Sequence, residues 1–254
     1  MTLLNIAKFQ HKASMDAWLK WIIALIGLWS FVWSVQLFIA GNAYYSVKNS
    51  IDVWQRKPEL VNALKVDRAL GKIEIALSYF PKNALYYQMQ GQLYEWKAFS
   101  VEDEAVPSYV QTVPSNSPEN LNQAFVAYKK SLELRPNWSG SWIGLASVKW
   151  KRRELDSAFY AYLARAVEVG PQDAIVHKFV VAYGLDMFVA RSLHYVEVKD
   201  LLKRHLDAGI QNPLSRSFVL QAIQQHNVTE TVCRWLNDSS YSVRKRIPNC
   251  VTYN

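Results

Sequence analysis

Three consecutive carboxylates, Glu102, Asp103 and Glu104, five histidines and two cysteines are the residues of this 254-residue chain with most to offer chemistry. Paired carboxylates do acid–base work when burial separates their pKa values. These three open a stretch with prolines at 107, 114 and 118, a loop pattern that gives no sign of such burial. The histidines, His11, His177, His194, His205 and His226, are scattered. His194 and Glu197 would be neighbours on a helix, and a solvated or structural pair explains them. Cys233 and Cys250 lack metal-site spacing and have no histidine pair beside them. They are either two free thiols or one disulfide. A disulfide would close a loop of about 16 residues, worth about 3 kcal/mol in the chain-entropy model, and would require an oxidising compartment. No phosphate-cradling glycine loop, HExxH helix or nucleophile elbow occurs. The sequence therefore predicts neither an enzyme nor a cofactor or metal site.

The elements that hold these residues read as helices. Half of the residues are hydrophobic, with 10 Trp and 14 Tyr, which is ample for a packed core. Only 9 Gly and 9 Pro are present, and no long stretch alternates apolar with polar residues. Both facts predict an all-α architecture. The formal charge is +8. Basic residues gather at Lys149, Lys151, Arg152 and Arg153, and again at Arg244, Lys245 and Arg246. Such patches suit lipid head groups, an acidic polymer or nucleic acid; a solvated helix face and a charged tail are the simpler reading.

Residues 1–20 carry Lys8, Lys12 and Lys20 against Asp16, and Trp21 to Ala43 carries no charge. That run is long enough to cross the hydrocarbon layer as a helix. Trp18 and Trp21 flank one end and Tyr44 and Tyr45 the other, where aromatic rings prefer the interfaces. A signal peptide has a shorter apolar core, so an uncleaved anchor is expected, with 1–20 as a cytoplasmic leader. Lys48, Arg56 and Lys57 leave the charge rule for orientation nearly balanced. Along the span, Trp18, Trp21, Leu25, Trp29 and Trp33 form one stripe beside a small-residue face of Gly27, Ser30 and Ser34. The four tryptophans are candidates for docking a membrane partner; lipid-facing bulk is the alternative.

Beyond the span, a short helix is expected over Tyr44–Leu60, broken near Pro58. Further helices are expected over Val61–Tyr79, Ala84–Phe99, Gln172–Phe188, His194–Ala208, Pro213–Gln225 and Thr229–Leu236. Gly209 suits a helix end. The tail from Asn237 is polar and reads as irregular unless a disulfide holds it.

Within this helical pattern a period stands out. Ala124, Tyr128 and Ser131 share a helix face that Pro136 ends; Trp142, Leu145 and Ala146 mark the next helix, and Ala158 and Tyr162 another that Pro171 closes. Upstream, Ala69, Ile73, Ala76 and Pro81 repeat the second-helix pattern, and Tyr87, Gln90, Gly91 and Tyr94 the first. The interval from Pro81 to Pro136 is one period plus an insertion, assigned to about 101–120. After Pro171 the fit weakens at His177, Val180, Val181 and Gly184. A proline-punctuated helical period near 34 resembles the tetratricopeptide-repeat (TPR) family. The resemblance implies an array of helical hairpins over 44–254 that acts as a partner-binding scaffold, since each hairpin buries its apolar face only by stacking on a neighbour.

The inner face of such an array is lined by the first helix of each pair. In this frame Gln88, Gln92, Glu95 and Trp96 come from one repeat, Ser147, Trp150 and Lys151 from the next, and Lys178 and Asp186 from a third. They form a candidate groove in which Trp96 and Trp150 would grip a peptide or stack on sugar rings; burial of both rings between repeats is the competing reading.

The whole layout is similar to the VpsP-like polysaccharide biosynthesis proteins: a basic leader, a Trp-rich span ending SVQLFIAGNAYYSV, and a TPR-like domain. That similarity implies an accessory protein at the bacterial inner membrane; the uncharged run and the lysines before it predict a single span with the soluble domain in the periplasm. It would serve exopolysaccharide synthesis or export for a biofilm matrix, alongside membrane and periplasmic proteins and an anionic glycan, with no nucleic acid. An assembly scaffold of another envelope pathway and a membrane-tethered glycan-acting enzyme are the alternatives.

Overall fold

The computed structural model describes residues 3–100 and 117–250. Glu102, Asp103, Glu104 and most of the expected insertion lie outside these residues. The described residues form helices and no strand, in two compact units: residues 1–61 with 67–82, and residues 62–66 with 83–254.

Helix α1 (Leu3–Arg56) is continuous and contains the residues expected as leader, span and the segment beyond it. The separate helix expected over Tyr44–Leu60 is therefore its last turns. Two physical reasons account for the difference. No proline interrupts the run before Pro58, and Gly27 and Gly41 sit on open helix surface with nothing within 4 Å of an added Cβ. Lys48 and Asp52 pair at 2.9 Å one turn apart, supporting the helix past the uncharged run. It stops at Arg56, because a residue before proline avoids the helical region, and Pro58–Leu60 makes one 3-10 turn. Among the described residues, α1 is the one helix long and apolar enough to cross a membrane, with a mean hydropathy of 2.1 in its most apolar window.

Helix α2 (Ala63–Tyr79) belongs mainly to the same unit. Its Lys72 ammonium donates to Ser46 Oγ at 2.7 Å. Beyond its end, the Phe80 ring stands edge-on to Trp33 at 5.6 Å between centroids.

The second unit stacks helical hairpins. Helix α3 (Ala84–Phe99) pairs with α4 (Ser117–Leu134), α5 (Ser139–Lys151) with α6 (Ser157–Val169), and α7 (Ala174–Val189) with α8 (His194–Gln211). Helix α9 (Pro213–Gln225) packs on both α7 and α8, and α10 (Thr229–Trp235) and α11 (Tyr241–Arg244) follow. Side-chain caps fix several starts. Asn83 accepts from the Leu85 amide at 3.0 Å, Asp156 from Phe159 at 3.0 Å, and Asn212 from Leu214 at 2.9 Å ahead of Pro213.

Small residues set how closely these helices approach. Tyr128 of α4 is fully buried, and its ring lies against both Gly91 of α3 and Gly144 of α5. A Cβ on Gly91 would stand 2.8 Å from Tyr128 Cε1, and one on Gly144 would stand 2.4 Å from it. Gly209 does not end α8, which runs two residues further to Gln211. It is small because α8 crosses its neighbours there: an added Cβ would meet Val219 at 3.0 Å and His177 at 3.3 Å.

The last core joins α7, α8 and α9 to the chain's end. Leu202, Leu206, Ile210, Val219 and Ile223 are buried with Val232, Leu236, Val243 and Ile247. Each such side chain contributes about 1.5–3 kcal/mol relative to exposure. The tail, expected to be irregular unless a disulfide held it, carries α11 and a disulfide between Cys233 and Cys250, whose Cα atoms are 5.5 Å apart. Arg216 donates to the Ile210 and Gln211 carbonyls at 2.8 Å, and Arg246 to Ile210 at 3.5 Å. Both cations thereby sit at the negative end of α8.

Candidate functional site

The first helices of the three hairpins, α3, α5 and α7, lie side by side, with α5 in the middle. Two of the residues their sequence offers become the centres of polar clusters.

The first cluster is built on Glu95. Its position on α3 places it opposite Ser147 and Lys151, which share one face of α5 at i and i+4. Glu95 Oε2 accepts from Ser147 Oγ at 2.6 Å and from Lys151 Nζ at 2.5 Å, while Oε1 accepts from the buried Tyr128 hydroxyl. The Glu95 side chain is 10% exposed and that of Lys151 33%, so the ion pair opens to solvent on the lysine side. Burial, followed by the neighbouring Glu95 charge and hydrogen bond, pushes the Tyr128 phenol well above its ordinary pKa. It is therefore a permanent donor. The Lys151 ammonium also stands 5.2 Å from the Phe99 ring centre.

The second cluster lies at the other end of the same helices. The Trp138 indole donates to the Gln88 side chain, and Ser139 Oγ donates to Asp173, the residue that precedes α7. A cavity of about 440 Å³ opens there, lined by Gln88, Asn137, Trp138, Ser139, Asp173 and Ile175 among others. The Arg135 guanidinium stacks on the Trp138 ring at 4.3 Å, a cation–π arrangement. The cavity thus offers an aromatic ring, two amides and a carboxylate from three loops and helix starts. Such a set suits a neutral hydrogen-bonding ligand.

The nine candidate groove residues separate in the structure. Gln88, Glu95, Ser147 and Lys151 enter these two clusters. Gln92, Trp96 and Lys178 are half-buried on their helices. Trp150 is half-buried, and its ring makes T-shaped contacts with Phe179 at 5.6 Å and Tyr183 at 5.3 Å. Asp186 lies at the far end of α7 and meets His226 Nε2 at 3.2 Å. Burial raises its pKa, and the histidine partly opposes that. On α1, Trp18, Trp21 and Trp29 are 69%, 71% and 67% exposed, and Trp33 is 47% exposed. Trp29 and Trp33 stack at 6.0 Å.

The basic patch at the end of α5 is largely engaged. Lys149 is buried and bridges Glu154 at 2.9 Å and Asp156 at 3.0 Å. Its burial alone would lower its pKa, but the two carboxylates outweigh that and the net shift is upward. Arg152 donates to Asn122 and lies 5.7 Å from the Phe125 ring.

Sequence reasoning missed Trp138, Ser139 and Asp173. The period itself held the signal, because Ser139 and Asp173 are 34 residues apart. It also missed the buried pair His177 and His205, whose Nδ1 atoms stand 2.8 Å apart between α7 and α8. Among the described residues no group of three His, Cys, Asp or Glu side chains could hold a metal ion. Compared with protein-family models and with curated proteins, the chain finds no match, so the geometry of α3, α5 and α7 carries the functional reading.

Proposed function

We propose that this protein is a single-pass, membrane-anchored scaffold of TPR type whose hairpin array binds a partner along α3, α5 and α7. The observation that carries this reading is the convergence of polar groups from three consecutive hairpins. Glu95, Ser147 and Lys151 meet at one end of the first helices, and Gln88, Trp138 and Asp173 border a cavity at the other. Helix α1 supplies the anchor, with residues 1–20 in the cytoplasm, the span at 21–43 and the array in the periplasm of a bacterium. Tethering raises the effective concentration of the array near other proteins of the same membrane, so a weak groove contact suffices.

The pathway follows from the VpsP-like resemblance: exopolysaccharide synthesis or export, in company with inner-membrane and periplasmic proteins and an anionic glycan. A deletion strain tests the whole reading. The full-length chain should restore surface polymer, and a soluble 44–254 fragment sent to the periplasm should not. Full restoration by the fragment refutes the anchor's role, and unchanged polymer in the deletion strain refutes the pathway. Alkaline phosphatase fused to the C-terminus should be active; an inactive fusion overturns the periplasmic placement.

A further inference from the structure

Helix α2 approaches α1 at two levels, and the second falls inside the uncharged run. Lys72 reaches Ser46, just beyond the run, and Phe80 reaches Trp33, ten residues inside its far end at Ala43. The two contacts make α2 antiparallel to α1, with its C-terminal end pointing back along the apolar segment.

The position of the membrane follows from charge and length. Lys20 is the last charged residue before the run, and Lys48 the first after it. With Lys20 at the inner boundary, about 20 helical residues are needed to cross a hydrocarbon layer of about 30 Å. The outer boundary then falls near Ala40. Trp33 lies seven residues short of it, about 10 Å deeper at the rise of an α-helix.

Helix α2 changes character at the matching level. It carries Lys65, Asp67, Arg68, Lys72 and Glu74, and then no charge from Ile75 to Pro81. Two large apolar side chains of this uncharged end face outward: Ile75 is 46% exposed and Tyr79 38%. Lys82 follows, and a lysine at such a point extends its stem through apolar surroundings and keeps its ammonium among head groups. The two helices therefore lose their charges together, on the same side of the Lys72–Ser46 contact.

We propose that the end of α2, Ile75 to Pro81, is a second membrane-embedded element: a wedge that enters the outer leaflet beside the span and contacts lipid. The inference rests on α1 crossing the bilayer. The depth set by Trp33 matches the roughly 5–10 Å to which interfacial apolar elements sink. Ile75 and Phe80 would meet acyl chains, and the Tyr79 hydroxyl would lie at the head groups. The protein would then grip its membrane at two points with one helix crossing.

The test uses the full-length protein in phosphatidylcholine–phosphatidylglycerol vesicles. Single cysteines replace Leu28, Arg68, Ile75 or Tyr79 in a C233S/C250S background and carry an environment-sensitive fluorophore. Lipid-borne nitroxide and aqueous iodide serve as quenchers. The label at 28 should be quenched by the nitroxide lipid, and the label at 68 by iodide. Labels at 75 and 79 should be quenched by nitroxide to about half or more of the effect at 28, as expected for a depth of roughly 5–10 Å, and iodide should do little. If 28 is lipid-quenched while 75 and 79 behave like 68, the wedge is refuted and the span survives. If 75 and 79 are shielded from both quenchers, protein rather than lipid covers them, and the wedge is again refuted. If the label at 28 is itself iodide-accessible, the membrane-spanning reading fails, and the wedge with it. Melting of each labelled variant, compared with the unlabelled background, checks that the fold is retained.

Discussion

Replacing Gly144 by alanine should destabilise the protein although alanine is the better helix former. The added Cβ would stand 2.4 Å from Cε1 and Cζ of Tyr128 and 2.6 Å from Cδ1. Carbon atoms in contact prefer about 3.5–4.0 Å, so the ring must move by more than about 1 Å. It has little room, because Gly91 crowds the same three ring atoms and Glu95 holds the hydroxyl. Overpacking costs about 1–3 kcal/mol, and disturbing a buried hydrogen bond about 1–3 kcal/mol. The gain in helix propensity returns up to about 1 kcal/mol. The net loss is about 1–5 kcal/mol, which lowers Tm by about 2–20 °C for a chain of this size. Thermal melting of the full-length protein in mild detergent, followed by helical ellipticity, reads the effect. Gly71→Ala is the control for sign, since nothing lies within 4 Å of a Cβ there, and it should raise stability slightly. A Gly144→Ala protein that melts at or above wild type refutes the packing argument. So would strictly additive losses in a Gly144→Ala/Tyr128→Leu double variant, because removing the ring should relieve most of the clash.

Three further outcomes are expected. Glu95→Ala strands the Tyr128 hydroxyl and frees Lys151, and should cost about 2–3 kcal/mol; a change below about 0.5 kcal/mol in urea unfolding would count against the cluster. Burial first, then the neighbouring His177 and Arg204, lowers the His205 pKa from its ordinary value to about 4, and burial lowers that of His177 despite Asp173. The unfolded chain therefore binds these protons first: the stability is complete above about pH 6.5 and is lost as pH falls from there toward about 4, by up to roughly 3 kcal/mol for His205. His205→Gln should flatten that limb of the stability–pH curve, and an unchanged slope would show that other groups set it. Finally, labelling the protein unfolded without reductant should find no free thiol, and reduction should cost about 3 kcal/mol; two labelled cysteines would contradict the bond.

The elements legible in the sequence are those whose ends are marked by local chemistry. Ala84–Phe99 and Pro213–Gln225 lie as the sequence predicts, because Asn83, Pro213 and their neighbours cap or start a helix whatever surrounds it. Tyr44–Leu60 was not separable from the span, since nothing between Gly41 and Pro58 forces a break. The Glu95 cluster was half legible. Helical spacing places Ser147 and Lys151 on one face, but which carboxylate they meet depends on the α3–α5 crossing that Gly144 and Tyr128 set. His177 and His205 illustrate the limit, for their pairing depends on the close crossing at Gly209 and on no pattern within either helix. Trp150 shows the same limit: its contacts with Phe179 and Tyr183 depend on how α5 packs against α7, which no pattern within α5 marks.

The last core has a consequence for how the chain is made. Val243, Ile247 and Cys250 are buried with Leu206 and Ile210 of α8, so residues 243–250 complete a core that begins some sixty residues earlier, at Val181 in α7. Domains of a growing chain fold as their parts emerge. The earlier hairpins can close while synthesis continues, but the α7–α9 core must wait until residues 243–250 have emerged and Cys233 and Cys250 have met an oxidant. This core therefore closes after those of the preceding hairpins, and a chain cut before Val243 would leave it open while the α3–α4 and α5–α6 hairpins stood complete.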